Sequence, residues 1–199
     1  WGAALMVTAF ASSGVPLLWF SGRALGVTAW LLAAAALCVG MAIRTRSLDR
    51  WMSPKGATAV HRTVSAAVLV VTVAHVVVLL PDPYAKLRWW DVLLPGFAVD
   101  SRLPTLLGQV GLWLLVAVSV AGLLRSRLSK SVWNVVHRCS YAVFPLATAH
   151  FVLMGTDAMQ MWAVVLLLGV CAAVVAMILR RGFLPARTPP RAVKPRPSG

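Results

Sequence analysis

The chain has 199 residues, 60% of them hydrophobic and 12% charged, a balance far more apolar than that of an average soluble domain. Nineteen Lys and Arg against five acidic residues give a formal net charge of +14; in a soluble protein that excess would suggest nucleic acid, but here it sits in alternate loops between apolar stretches. Several stretches reach the roughly 20 residues with which a helix spans a bilayer, so the expected class is an all-α polytopic membrane bundle of six transmembrane helices with no nucleic-acid partner.

Residues 1–43 are apolar except for Arg23. As one helix they would extend about 65 Å, roughly twice the bilayer core. A turn is therefore expected at Ser21, Gly22 and Arg23, leaving helix one over about 2–20 and helix two over about 24–43. No basic n-region precedes the apolar run, so a trimmed N-terminus is expected in preference to a cleaved signal peptide.

Helix three is expected over 58–80, where Pro81 and Pro83 stop it. The loop PDPYAKLRWWDVLLPGFAVDSRLP then carries four prolines and the adjacent Trp89 and Trp90, rings suited to the headgroup level of the outer interface. Helix four follows over 104–124, helix five over 133–154 and helix six over 161–180, closing a membrane domain at 1–180. Residues 181–199 are basic and proline-rich with little to bury; they are expected to be a disordered cytoplasmic tail with some affinity for anionic lipid.

Three basic clusters hold 15 of the 19 basic side chains: Arg44, Arg46, Arg50, Lys55 and Arg62; Arg125, Arg127, Lys130 and Arg138; and Arg180, Arg181, Arg187, Arg191, Lys194 and Arg196. The alternate loops carry Asp82, Asp91, Asp100 and Asp157. The positive-inside rule puts the basic loops, and both termini, in the cytoplasm. Cys38, Cys139 and Cys171 lie in apolar segments at irregular spacing, which suits small packing residues better than a disulfide framework or a zinc site.

All four histidines fall in two of the expected helices, and ionisable groups within a membrane are functional candidates by default. HRTVSAAVLVVTVAH spans 61–75 and HRCSYAVFPLATAH spans 137–150. Each segment begins with His-Arg near the basic end. Steps of 14 and 13 residues correspond to about 21 and 20 Å along ideal helices, so both pairs mark the same two depths. His61 is expected to face His137 at the inner depth and His75 to face His150 at the outer. Two imidazoles from opposite sides suit a six-coordinate haem iron, whereas zinc or copper needs further protein ligands at the same depth. The expected cofactors are thus two b-type haems.

Fourteen residues leave His61 and His75 on one helix face, but thirteen place His150 about 140° from His137 on an ideal helix. A distortion is therefore expected near Pro145, which lies between them. Arg62 and Arg138 follow the inner histidines directly and could pair with haem propionates. Arg102, Lys86 and Arg88 are weaker candidates at the outer depth. Ser65, Ala66, Ala67, Ala74, Ala147, Thr148 and Ala149 would admit a flat macrocycle, although small residues also serve plain helix packing.

These residues resemble the ferric reductase-like transmembrane domain shared by ferric reductases, NADPH oxidases and the haem membrane subunit of the periplasmic methionine sulfoxide reductase system. The likeness covers roughly residues 17–180 and is strongest to bacterial, especially actinobacterial, members. Its motifs are LLWFSGRALG, VHRTVS at 60–65, DPYA at 82–85, DSRLP at 100–104, WNVVHRCSY at 133–141 and GTDA at 155–158. The resemblance implies two haems held by histidine pairs on the third and fifth of six helices, with 13 and 12 intervening residues, as in this chain. Ser101 departs from the family pattern, which has tyrosine there and on which the part of Arg102 at the outer haem depends.

Nothing in the chain resembles the flavin and nicotinamide domains of eukaryotic members, and no glycine-rich phosphate loop follows a candidate strand. Flavin or nicotinamide is expected only through a partner. The expected function is transmembrane electron transfer in a bacterial cell membrane, from a separate flavin reductase or a quinol donor to an extracytoplasmic electron acceptor: ferric iron, oxygen or a partner redox protein. A quinol-cytochrome c reductase type of cytochrome b is disfavoured because the chain has no glutamate. The rival from another class is a cofactor-free scaffold or transporter subunit that uses its histidines for protons or helix contacts.

Overall fold

A computed structural model of the protein describes residues 17–83, 85–94 and 102–183. Within them the chain forms α1 (Leu17–Arg44), α2 (Pro54–Leu79), α3 (Trp89–Leu93), α4 (Arg102–Leu123), α5 (Lys130–Met154) and α6 (Met161–Phe183), with no strand among the described residues. Most of the expected first helix and nearly all of the expected tail lie outside the described residues.

Four helices, α1, α2, α4 and α6, are long and apolar enough to cross a membrane. α5 has comparable length, at 25 residues, but Lys130, Asn134, His137, Arg138 and His150 dilute its apolar character. The helix that carries half of the histidines is thus the most polar of the long ones. α3, five residues long, lies in the loop between α2 and α4, where Trp89 and Trp90 pack edge to face at 5.0 Å.

Helix ends follow local chemistry. Ser53 caps α2 by accepting from Gly56 N–H, with Pro54 opening the first turn, where a missing N–H costs nothing. Ser129 does the same for α5 through Val132 N–H. After α1, Arg46 adopts a positive φ of 56°, and its guanidinium holds Asp49 at 2.8 Å in the tight connection to α2.

The turn expected at Ser21, Gly22 and Arg23 is absent, because α1 is continuous through all three. Gly22 serves close packing instead of a chain reversal. A Cβ there would come 2.5 Å from Leu79 Cδ2, so only glycine lets α2 lie this close. Arg23 pairs with Asp157 in the α5–α6 connection and lies 5.7 Å from the Trp19 ring, which offsets its charge within the helix.

α1 packs closely against α2, and α4 against α5, each pair antiparallel. α1 joins the two pairs by touching α5 and α6, while the backbones of α2 and α5 hardly approach each other. The core lies where α1, α5 and α6 meet, around Trp30, Ala34, Phe144 and Val174. Trp30 stacks on Phe144 and Phe151 and donates its indole N–H to Thr148 Oγ1 at 2.9 Å. Cys38 and Cys171 pack against this core, in line with their expected role. Cys139 departs from it by facing outward.

Candidate functional site

The sequence expectation paired the histidines by depth, and the structure brings the first of those pairs, His61 and His137, into ring contact. At the end of the bundle with the basic loops, the His61 and His137 rings lie 6.3 Å apart between centroids and are crossed at 88°. At the far end His75 and His150 lie on the same two helices, and each ring is turned to a different neighbour, α1 and α4 respectively. The first pair bridges α2 and α5, the two helices whose backbones stay apart. Imidazoles, not helix packing, span that gap.

The spacing of the first pair is chemically informative. A direct N–H···N bond of about 2.9 Å would place two imidazole centroids about 5 Å apart. A single metal ion with a nitrogen about 2 Å away on either side would place them about 6.2 Å apart. The observed 6.3 Å is too long for the first; it lies within the edge-to-face range of ring contacts and is also compatible with the second. Among the described residues no three His, Cys, Asp or Glu side chains gather as a closed metal site would require. The donor set is two imidazoles per level, which suits an ion whose remaining ligands come from a macrocycle.

The far pair is held by a device the sequence reading missed. His75 Nδ1 lies 2.7 Å from Gly22 O, and a Cβ on Gly26 would meet the same ring at 3.0 Å. His150 Nδ1 lies 2.8 Å from Pro104 O, and a Cβ on Gly108 would meet that ring at 2.8 Å. In each case the carbonyl belongs to residue i of a helix and the bare position to residue i+4. A helical carbonyl points toward i+4, so glycine there uncovers it for a second hydrogen bond. A carbonyl can only accept, so Nδ1 carries the proton and Nε2 keeps its lone pair. Metal-ligating histidines are commonly oriented in this way.

His61 repeats the pattern less completely. A Cβ on Gly40 would meet its ring at 3.2 Å and the Ala36 carbonyl, four residues earlier, lies toward it. Its Nδ1 is nevertheless buried without a geometrically sound hydrogen bond. His137 has no such carbonyl; it stacks on Trp133 at 4.8 Å, and its Nδ1 is also buried without a partner. Spacing could have revealed these seats. Gly26 and Gly40 are separated by the same 14 residues as His61 and His75, and α1 and α2 are antiparallel, so each glycine meets one histidine.

The distortion expected at Pro145 does not take the form of a break, since α5 is α-helical from Lys130 to Met154 with Pro145 inside it. The phase difference is met by side chains. His137 crosses toward α2, whereas His150 leans on α4, where Pro104 O and Gly108 receive it. Pro145 withholds one backbone donor, which eases bending without ending the helix.

The arginines divide. Arg62 and Arg138 are exposed and form no ion pair among the described residues. Arg62 lines an open depression of about 400 Å³ with Pro54, Lys55, Thr58 and Ala59, beside the first pair. Arg102 begins α4, and its side chain lies outside the described residues. Arg88 is already engaged: its Nε and a terminal nitrogen each reach the Asp91 carboxylate at 3.0 Å, and it lies 5.0 Å from the Trp90 ring. The guanidinium beside Asp91 holds that carboxyl below its ordinary range. Arg88 is therefore a strut of its own loop, not a spare cation. Lys86 has a positive φ of 49°.

Comparison of the chain with models of known families, with curated proteins and with solved structures finds no match.

Proposed function

We propose that the protein is a di-haem b-type cytochrome of the bacterial cell membrane, similar to the ferric reductase-like transmembrane domain. It passes electrons from a cytoplasmic or membrane donor to an acceptor on the other side. The observation that carries this reading is the meeting of the His61 and His137 rings across the gap between α2 and α5, 6.3 Å between centroids, with His75 and His150 farther along the same two helices. His61 and His137 hold the inner haem and His75 and His150 the outer one, with the basic loops and both termini in the cytoplasm. When bound, each haem supplies one-electron ferric/ferrous chemistry.

The chain's own residues do the positioning. Gly22 O and Pro104 O hold the protons of His75 and His150 on Nδ1. Gly26, Gly40 and Gly108 admit three of the rings. Arg62 and Arg138 stand beside the inner pair with guanidinium groups free for carboxylates. The apolar helices exclude water around both levels. The donor is a separate flavin reductase or a quinol, and the acceptor is ferric iron, oxygen or a partner redox protein.

One observation favours a cofactor-free scaffold: the bonds from His75 and His150 to neighbouring helices also hold the bundle together unaided. A reduced-minus-oxidised spectrum with haem quantified per chain separates the readings. Two haems in the wild type falling to one in His75→Ala is the expected result. A colourless protein after haem-sufficient expression would instead leave the scaffold.

A further inference from the structure

The two histidine levels differ in one respect that the pairing alone does not require. At the far level both Nδ1 atoms are bonded to helical carbonyls, at 2.7 and 2.8 Å. At the level of the basic loops neither Nδ1 has a geometrically sound bond among the described residues, although the Ala36 carbonyl lies toward that of His61. The difference traces to the chain. Gly22 and Gly26 on α1, and Pro104 and Gly108 on α4, each present a carbonyl and, four residues on, a position with no Cβ. Ala36 and Gly40 repeat this spacing for His61 without closing the bond. On α4 Gly122 stands 14 residues after Gly108, as Gly40 does after Gly26, but His137 is only 13 residues before His150. A Cβ on Gly122 would meet nothing within 4 Å. The fourth seat exists in the sequence pattern and goes unused, and His137 stacks on Trp133 instead.

Resting on the haem reading above, we propose that the two completed seats, Gly22/Gly26 for His75 and Pro104/Gly108 for His150, are positioning elements that set the outer haem apart from the inner one electronically. A proton held on Nδ1 by a carbonyl gives the imidazole more anionic character and makes Nε2 a stronger donor. Stronger donation favours ferric over ferrous iron. The His75/His150 level is therefore the lower-potential site and the more tightly held. The His61/His137 level, where the Ala36 carbonyl is poorly aimed at His61 and His137 stacks on Trp133 instead, is the higher-potential and the more easily emptied. Gly26 and Gly108 act through the ligands, so they are positioning residues and not ligands themselves.

The test is a potentiometric titration with haem quantification on purified full-length protein, comparing the wild type with Gly26→Ala, Gly108→Ala, Gly40→Ala and Gly122→Ala. The steric demand is graded. An added Cβ meets ring atoms at 2.8 Å at Gly108, 3.0 Å at Gly26 and 3.2 Å at Gly40. Gly108→Ala and Gly26→Ala are expected to raise the midpoint of the lower-potential haem, or to remove that haem alone, with Gly108→Ala the stronger. Gly40→Ala should act on the other component, and Gly122→Ala should retain two haems with unchanged midpoints. Helix loosening alone would move both components together. Two haems whose midpoints ignore Gly26→Ala and Gly108→Ala, or a common shift of both, overturn this inference while leaving the functional reading intact. A wild type without haem overturns both.

Discussion

Crossed ligand planes leave a spectroscopic mark that no other arrangement of the same two histidines would leave. The His61 and His137 rings are turned 88° from each other at 6.3 Å. Two nitrogen–metal distances of about 2 Å and two nitrogen-to-centroid distances of about 1.1 Å sum to about 6.2 Å, so under the proposed function the two imidazoles would hold one haem iron. Planar imidazoles donate π density into the iron d orbital perpendicular to each ring. Parallel rings raise one of the two relevant orbitals and separate them. Crossed rings raise both alike and leave them nearly degenerate, which gives low-spin ferric iron a strongly anisotropic g tensor. On the proposed function, a haem held by this pair is expected to show a highly anisotropic low-spin signal in the oxidised protein. His61→Ala and His137→Ala should each abolish it and lower the haem content from two to one per chain. The assay is low-temperature electron paramagnetic resonance with haem quantification on the same samples. Two ordinary rhombic signals in the wild type would refute the crossed geometry, and survival of the anisotropic signal in both variants would refute the assignment to this pair.

Other consequences concern the scaffold. Trp30, 2% exposed, fills the junction of α1 with α5, so Trp30→Ala should destabilise the bundle by about 3 kcal/mol through loss of packing. Thr148→Val, which removes only the acceptor of its N–H, should cost about 0.6 kcal/mol; unfolding titrations in mixed detergent check both, and equal effects would contradict the assigned roles. In the α2–α4 loop the Asp91 carboxyl is held below its ordinary range, first by its hydrogen bond from Arg88. A lowered native pKa stabilises the loop above the unfolded carboxyl pKa of about 3.9, and that contribution is lost as pH falls through the native value. Loop order, read by Trp89 and Trp90 fluorescence, should therefore hold at neutral pH and fall below about pH 4, and Asp91→Asn should abolish that dependence.

Much of the membrane architecture was legible because apolar length is a property of the chain alone. The expected spans over 58–80, 104–124, 133–154 and 161–180 correspond to α2, α4, α5 and α6 within a few residues. The error at Ser21, Gly22 and Arg23 arose because glycine carries two meanings. It turns a chain, and it also lets a neighbouring helix come close, and only Leu79 against Gly22 decides between them. At Pro145 α5 continues without a break. Helical phase was computed for Cβ directions, but an imidazole reaches far enough that His137 and His150 can lean on different neighbours.

The pairing of the histidines by depth followed from two spacings, since rise per residue is a local constant and needs no tertiary contact. The sequence by itself thus determined the pairing of His61 with His137, which meet in the structure, and the gathering of the basic residues in alternate loops. Tertiary structure alone decided that the His61 and His137 rings cross at 88°, and that Nδ1 of His75 and His150 closes a sound bond to a carbonyl while Nδ1 of His61 and His137, among the described residues, does not. Ring orientation and proton position depend on what faces the side chain from another helix, and that is set by how closely α1 meets α2 and α4 meets α5.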